Sequence, residues 1–305
     1  MKISGISIPI DKFLDHLSSE RHLSKYTCRN YGQAITTFFK WLKEREKWSG
    51  DLKAVTKMQI KGFVIEFQHT HSRRTLHNWC SGLKTFFNYL IKFKYIDNNP
   101  WGGVVLPKLA KPLPIFLTEK QMVRLLQSPI GLIEEKINEP FQGWRDRLIL
   151  ELLYGGGIRV SELVGLNYGD IDWSSGVATV MGKGSKQRKC PLGEVGLMCL
   201  KKFRDEFAVD ISREAPIVLN NRKGRLSVRQ VQLILKKYLA LAELPMDITP
   251  HKIRHSYATH LLNEGANLRI VKELLGHVSL STTQIYTHVD FKRLKEVHQW
   301  AHPRG

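Results

Sequence analysis

Three prolines set among basic residues, Pro107-Lys-Leu-Ala-Lys-Pro-Leu-Pro114, cut this chain into two stretches that cannot share one regular element. Proline fixes φ, lacks an amide proton and pushes the residue before it out of the helical region. The segment 107–117 therefore reads as an extended, semi-rigid linker, with Asn99-Pro100 as an earlier break and the boundary near residue 110. A chain of 305 residues is long enough to bury a core on each side of it.

The first stretch, 1–106, patterns as helix. Phe13, Leu14 and Leu17 form one apolar stripe. Ser24 can cap a helix carrying Tyr31, Ile35, Phe38, Phe39 and Leu42; Thr56 can cap another carrying Ile60, Phe63, Val64 and Phe67. A last stripe runs through Trp79, Leu83, Phe86, Phe87 and Leu90, and such stripes pack as a small bundle. Lys25, Arg29, Arg73, Arg74 and Lys84 fall between the apolar positions. Singly, each reads as part of a solvated face. Together they read differently, because 47 Lys+Arg against 28 Asp+Glu leave a formal charge of +19. That excess points to a polyanion, and the first stretch is expected to present a DNA-facing surface.

An anionic membrane is the other polyanion to weigh. The chain has no apolar run of spanning length, no apolar leader with a cleavage site and no concentrated basic amphipathic terminus. Double-stranded DNA in the cytoplasm is the expected setting, with no membrane. Cys28, Cys80, Cys190 and Cys199 show no C-x-x-C spacing, which argues against a zinc ribbon and a disulfide scaffold. No H-E-x-x-H or similar ligand pattern appears, so neither metal nor other cofactor is expected.

The second stretch, 118–305, is mixed. Helices are expected over 119–127, 143–154 and 160–166, then from residue 227 onward with breaks at Pro245 and Pro250. Segments 176–182 and 187–192 flank Lys183-Gly-Ser-Lys186 and read as a β-hairpin. The fold class is mostly α with a small β-sheet or hairpin in the second domain.

Metal-free phosphodiester cleavage needs a nucleophile, charged donors on the non-bridging oxygens and an acid for the departing oxygen. Candidates for each exist. Arg159 follows Gly155-Gly-Gly157, and Glu162 lies one helical turn on, able to orient the guanidinium; a plain surface ion pair is the alternative. Lys183 sits at the hairpin tip, for which a plain exposed turn is the ordinary reading, and the P-loop spacing fails there. Thr249-Pro250 starts a helix on whose first turns His251 and Arg254 share a face, where anions are favoured. Gly276 ends a helix holding Val271, Leu274 and Leu275, so His277 falls just past it. Ser281-Thr-Thr-Gln284 is a capping box for the next helix, which carries Tyr286. The same two helices over 268–288 also describe a helix-turn-helix with Tyr286 as a packing residue.

Several motifs taken together resemble the tyrosine recombinases of the phage integrase family, and within them the bacterial Xer type. These are Gly157-x-Arg159-x-Ser161-Glu162-Leu163, the run from Gly182-Lys183 to Lys186-x-Arg188, His251-x-x-Arg254 with its flank to His260, Leu274-Leu-Gly-His277 and Thr282-Thr-x-x-Tyr286-Thr-His288. Leu23-Ser24, Thr27, Tyr31 and Ser81-Gly-Leu-Lys-Thr-Phe-Phe87 are similar to the family's N-terminal core-binding domain. The resemblance implies a two-domain DNA clamp, a helical core-binding domain plus a mixed α/β catalytic domain. It assigns Arg159 and Arg254 to phosphate, Lys183 to protonation of the leaving group, His251 to proton transfer, His277 to transition-state charge and Tyr286 to nucleophilic attack. Lys186 and Arg188 become phosphate contacts. The reaction implied is cleavage and rejoining through a 3′-phosphotyrosyl link and a Holliday junction, in a homo- or heterotetramer with itself or a paralogous recombinase. The family role implied is resolution of chromosome dimers at dif-like sites under an FtsK-type translocase. The C-terminal helix over 291–300 with His302-Pro-Arg304 resembles a tail that docks on a neighbouring subunit. A mobile-element or integron recombinase, a type IB topoisomerase and a non-enzymatic helix-turn-helix regulator remain the alternatives.

Overall fold

A computed structural model describes residues 2–3, 6–7, 9–109, 115–182, 187–276 and 288–304. The chain forms two units, Met1–Pro112 and Leu113–Gly305.

In the first unit a pair of two-residue strands, β1 (Lys2–Ile3) and β2 (Ile6–Ser7), precedes the helices α1 (Ile10–Ser19), α2 (Lys25–Glu46), α3 (Lys57–Thr70) and α4 (Arg73–Lys92). The strands were not foreshadowed by the apolar pattern. The helix starts follow their caps. Ser24 Oγ accepts from the Thr27 amide, and Thr56 and Gln59 close a reciprocal capping box. Phe13, Phe38, Phe39, Phe63, Phe86 and Phe87 are fully buried. Their rings meet edge to face, as Phe38 and Phe63 do at 5.1 Å and 88°. With the apolar residues inside, Lys25, Arg29, Arg73, Arg74 and Lys84 are all exposed, and Arg29 lies over the Tyr26 ring.

The second unit is built on α5 (Glu119–Glu134), α6 (Pro140–Gly155), α7 (Val160–Gly165), α8 (Glu194–Phe207), α9 (Val228–Leu241), α10 (Pro250–Asn263), α11 (Leu268–Leu275) and α12 (His288–Ala301). α6 is its axis, with nearly every residue from Arg145 to Gly155 buried against α5, α8 and α10. α5 runs on through Pro129, past the expected end at residue 127. Proline breaks the helical ladder there, and Arg147 of α6 donates to the Leu126 carbonyl in the same turn.

The expected hairpin is the antiparallel pair β4 (Val177–Met181) and β5 (Gln187–Pro191), and a short β3 (Ile171–Asp172) extends it to three strands. Its register pairs Thr179 with Lys189 and Met181 with Gln187. The hairpin tip, with Lys183 and Lys186, lies outside the described residues. Among the described residues no helix is long and apolar enough to cross a membrane.

The tail packs on its own unit. His298 and His302 stack at 5.0 Å and pack over Tyr257 and Tyr154 of their own unit. His298 Nε2 donates to the Gly155 carbonyl at 2.7 Å, and Arg304 lies 3.7 Å from the buried Glu151. In the isolated chain these apolar ring faces find their burial in cis.

Candidate active site

The site forms where α7, β5, α10 and the end of α11 meet. Arg159 is the N-cap of α7, in extended conformation, so its side chain leaves the helix start sideways. Glu162, one turn on, reaches back: Oε2 accepts the Arg159 amide at 2.8 Å and Oε1 accepts Arg159 Nη1 at 2.7 Å. The pair is no surface bridge, because the Glu162 side chain is only 2% exposed and that of Arg159 29%. A buried carboxylate that holds one guanidinium orients it, while the remaining donors stay open to a ligand.

Glu162 has a second partner. Arg188 of β5 donates from Nη2 to Oε2 at 2.7 Å. Burial alone would raise the Glu162 carboxyl, but the charge and hydrogen bonds of Arg188 and Arg159 outweigh it and hold the group below its ordinary value.

Arg254 enters from α10. Thr249 caps this helix through the Lys252 amide and Pro250 occupies its first position. Arg254 then falls on the buried side, and His251, one turn earlier, is exposed at the rim. The Arg254 guanidinium donates to the Gly157 carbonyl and to the Leu275 carbonyl. Burial, reinforced by Arg188 and Arg159, lowers its pKa to about 10, which leaves it charged at neutral pH.

The three guanidiniums converge on one structural point. Arg188 Nη1 donates to the Leu274 carbonyl at 2.7 Å, Arg254 to Leu275, and Arg159 Nη2 approaches the Gly276 carbonyl at 3.4 Å. These are carbonyls that a helix end leaves without intrahelical partners, at the negative end of its dipole. Gly276 ends α11 in the left-handed region with φ +59°, and the next residue in sequence is His277. Gly157, at φ +55°, lies against the Tyr257 ring, where any side chain would collide.

The structure thus brings Arg159, Glu162 and Arg254 together, and His251 lies exposed one turn before Arg254. Lys183, Lys186, His277 and Tyr286, with the Ser281–Gln284 capping box, lie outside the described residues. Arg188 is turned inward. Its side chain is 11% exposed and spent on Glu162, Leu274 and the Cys190 thiol, whereas an outward phosphate contact was anticipated. The signal was present in the strand alternation, since Arg188 shares a face with the buried Cys190 of β5. Among the described residues no group of three His, Cys, Asp or Glu side chains is placed to hold a metal.

Known families, sequences and structures resemble this chain. The model of the phage integrase family matches residues 116–293, and that of the phage integrase N-terminal SAM-like domain matches residues 10–94. Tyrosine recombinase XerC of Thermodesulfovibrio yellowstonii is 41% identical over 305 residues, covering 96% of each chain. Tyrosine recombinase XerD of Pseudomonas putida is 38% identical over 299 residues, covering 97% of each. A lambda integrase (75–356) dimer bound to a COC′ core site shares the fold with a TM-score of 0.70 at 20% identity, over 91% of this chain and 98% of that one. XerH bound to palindromic difH substrate shares it with a TM-score of 0.68 at 22% identity, over 94% of this chain and 82% of that one.

Proposed function

This chain belongs to the phage integrase family, and from that premise we propose how its own residues perform the family's chemistry. It is a site-specific tyrosine recombinase, an enzyme that cleaves and rejoins DNA strands. The observation that supports the residue assignment is the convergence of Arg159 and Arg254 on the end of α11, with Glu162 fixing the first.

In the proposed reaction the phenolic oxygen of Tyr286 attacks phosphorus. The bond to the 5′ oxygen breaks, leaving a 3′-phosphotyrosyl link and a 5′-hydroxyl. Lys183 gives its proton to the departing oxygen, and His251 takes part in proton transfer at the rim. Arg159 and Arg254 hold the non-bridging oxygens, where negative charge grows in the transition state, and His277 donates to the same group. A free phenol titrates near 10, so guanidiniums around the site favour the phenolate. The aryl phosphate conserves the energy of the broken bond, and rejoining needs no nucleotide.

Lys25, Arg29, Arg73, Arg74 and Lys84 of the first unit, with Lys186 of the hairpin, neutralise backbone phosphates of the duplex. The substrate is a dif-like chromosomal site in the cytoplasm. Strand exchange passes through a Holliday junction in a tetramer, built from copies of this chain or together with a paralogue, under an FtsK-type translocase. Chromosome dimers are resolved in this way.

Covalent trapping tests the reading. Protein is mixed without Mg²⁺ with a nicked suicide duplex carrying a dif-like inverted repeat, with and without a paralogous recombinase, beside Tyr286→Phe. A denaturant-resistant adduct in the wild type alone supports it. Tight binding with no adduct under either condition overturns it.

A further inference from the structure

We propose that Arg188 is a positioning residue for cleavage, which sets Arg159 and the end of α11 in register and makes no contact with DNA phosphate. The inference rests on the function proposed above and concerns a residue that the family resemblance assigned to the backbone of DNA.

The guanidinium of Arg188 joins three segments distant in sequence. Nη2 binds Glu162 Oε2 at 2.7 Å, Nη1 binds the Leu274 carbonyl at 2.7 Å, and the same nitrogen touches the Cys190 thiol of its own strand. Glu162 is therefore shared, with one oxygen on Arg188 and the other on the Arg159 guanidinium. Pulling on Arg188 rotates the carboxylate, and the carboxylate sets Arg159. At the other end Arg188 holds the last turn of α11, which runs directly into residue 277. Its stem lies against Gly276, where a Cβ would collide with Cδ. The side chain is too deeply placed, at 11% exposure, to meet a duplex as an ordinary phosphate contact does. Nε is buried and finds no partner among the described residues.

A buried arginine in this position does two jobs. It neutralises a carboxylate that would otherwise repel the scissile phosphate, and it fixes geometry through its planar fork, which a lysine cannot reproduce. Misplacement of a phosphate-holding group by about 1 Å costs on the order of 100-fold in rate.

The test separates binding from cleavage. Wild type, Arg188→Met, Arg188→Lys, Glu162→Gln and the double variant Glu162→Gln/Arg188→Met are each titrated with the nicked suicide duplex over a range of salt. Adduct formation is then timed in a single turnover, with the paralogue present where the wild type needs it. The expected result for Arg188→Met is a Kd within about 2-fold of wild type, an unchanged salt slope and adduct formation slowed by about 100-fold. Arg188→Lys recovers only part of that rate. The double variant is no slower than the worse single one, because both act through one carboxylate.

A weakened Kd with a salt slope shallower by about 0.9 would mean a phosphate contact and overturn the proposal. So would an unchanged adduct rate, or losses that simply multiply in the double variant. Arg188→Lys carries the test where the methionine variant does not fold, as judged by its melting curve. Absence of an adduct in the wild type itself is a separate outcome, and it strikes the proposed function instead.

Discussion

The Tyr154 hydroxyl and His260 Nδ1 lie 2.8 Å apart in the interior of the catalytic unit, and the other imidazole nitrogen is 2.9 Å from the Leu117 carbonyl. A carbonyl only accepts, so Nε2 carries the proton and Nδ1 accepts from the tyrosine. The Leu117 amide donates to Ser256 Oγ at 3.0 Å, so both backbone groups of the residue before the α5 cap are tied to α10. Burial keeps His260 below its ordinary pKa despite the bond to Leu117, and the ring stays neutral at pH 7. Tyr154→Phe is expected to cost about 1 kcal/mol, and His260→Ala about 3 kcal/mol because it strands two buried polar groups beside a cavity. Urea denaturation of both variants and of the double variant checks this, and the double loss should fall short of the sum.

Much of this fold was legible because its signals are local. Ser24, Thr56 and Thr249 sit where helices begin, and Gly276 where one ends, since capping depends on residues within one turn. The site was half legible for the same reason. Glu162 lies one turn from Arg159, and His251 one turn from Arg254. The convergence of Arg159, Arg188 and Arg254 on successive carbonyls at the end of α11 joins residues 117, 86 and 21 positions apart, and no spacing rule reports that. The inward turn of Arg188 also went unread, because a basic residue on a Lys-rich hairpin looks exposed until the burial of Cys190 fixes the face. β1 and β2 are too short for alternation to show.

Replacing Arg254 by lysine should convert a constant charge into a titrating one. Burial and two neighbouring guanidiniums lower Arg254 to about 10, so the wild-type charge persists across the neutral range. A lysine starts from an ordinary value of about 10.4 and meets the same depressing surroundings. Its charged form exists only below the lowered pKa, so charge is lost as pH rises. Cleavage by Arg254→Lys is expected about 100-fold below wild type at pH 6.5, with the deficit widening toward pH 9. Single-turnover adduct formation gives the ratio at each pH, in which the common titration of the phenol cancels.

Docking of the tail in cis should be acid-sensitive. Burial lowers His298 against the opposing bond to Gly155, and burial with His298, His260 and Arg304 nearby lowers His302 well below its usual value. The groups facing these rings are Tyr154 of α6, Tyr257 and His260 of α10, and Arg304 of the tail itself. A histidine depressed in the folded state contributes its full stability above the unfolded value of about 6.5, and that contribution is lost as pH falls below it. Hydrogen exchange over 294–304 should quicken between pH 7.5 and 5.5 while α6 stays protected. His302→Leu should flatten the response, and a wild-type tail equally protected at both pH values would contradict the assignment.

Gly276 carries two separable demands, and substitutions can tell them apart. Its φ of +59° suits glycine, tolerates asparagine and strains alanine by about 1–2 kcal/mol. Independently of φ, a Cβ there meets Cδ of Arg188. Gly276→Ala suffers both effects, whereas Gly276→Asn keeps the backbone comfortable and suffers the collision. Both variants should therefore slow adduct formation by displacing Arg188, and alanine should also lower the melting temperature more than asparagine does. Placing each change in an Arg188→Ala background removes the obstacle, so the stability difference between the two should survive there while the collision component vanishes. Equal melting temperatures for Gly276→Ala and Gly276→Asn would mean that the left-handed turn carries no weight and that contact with Arg188 alone reserves the position for glycine.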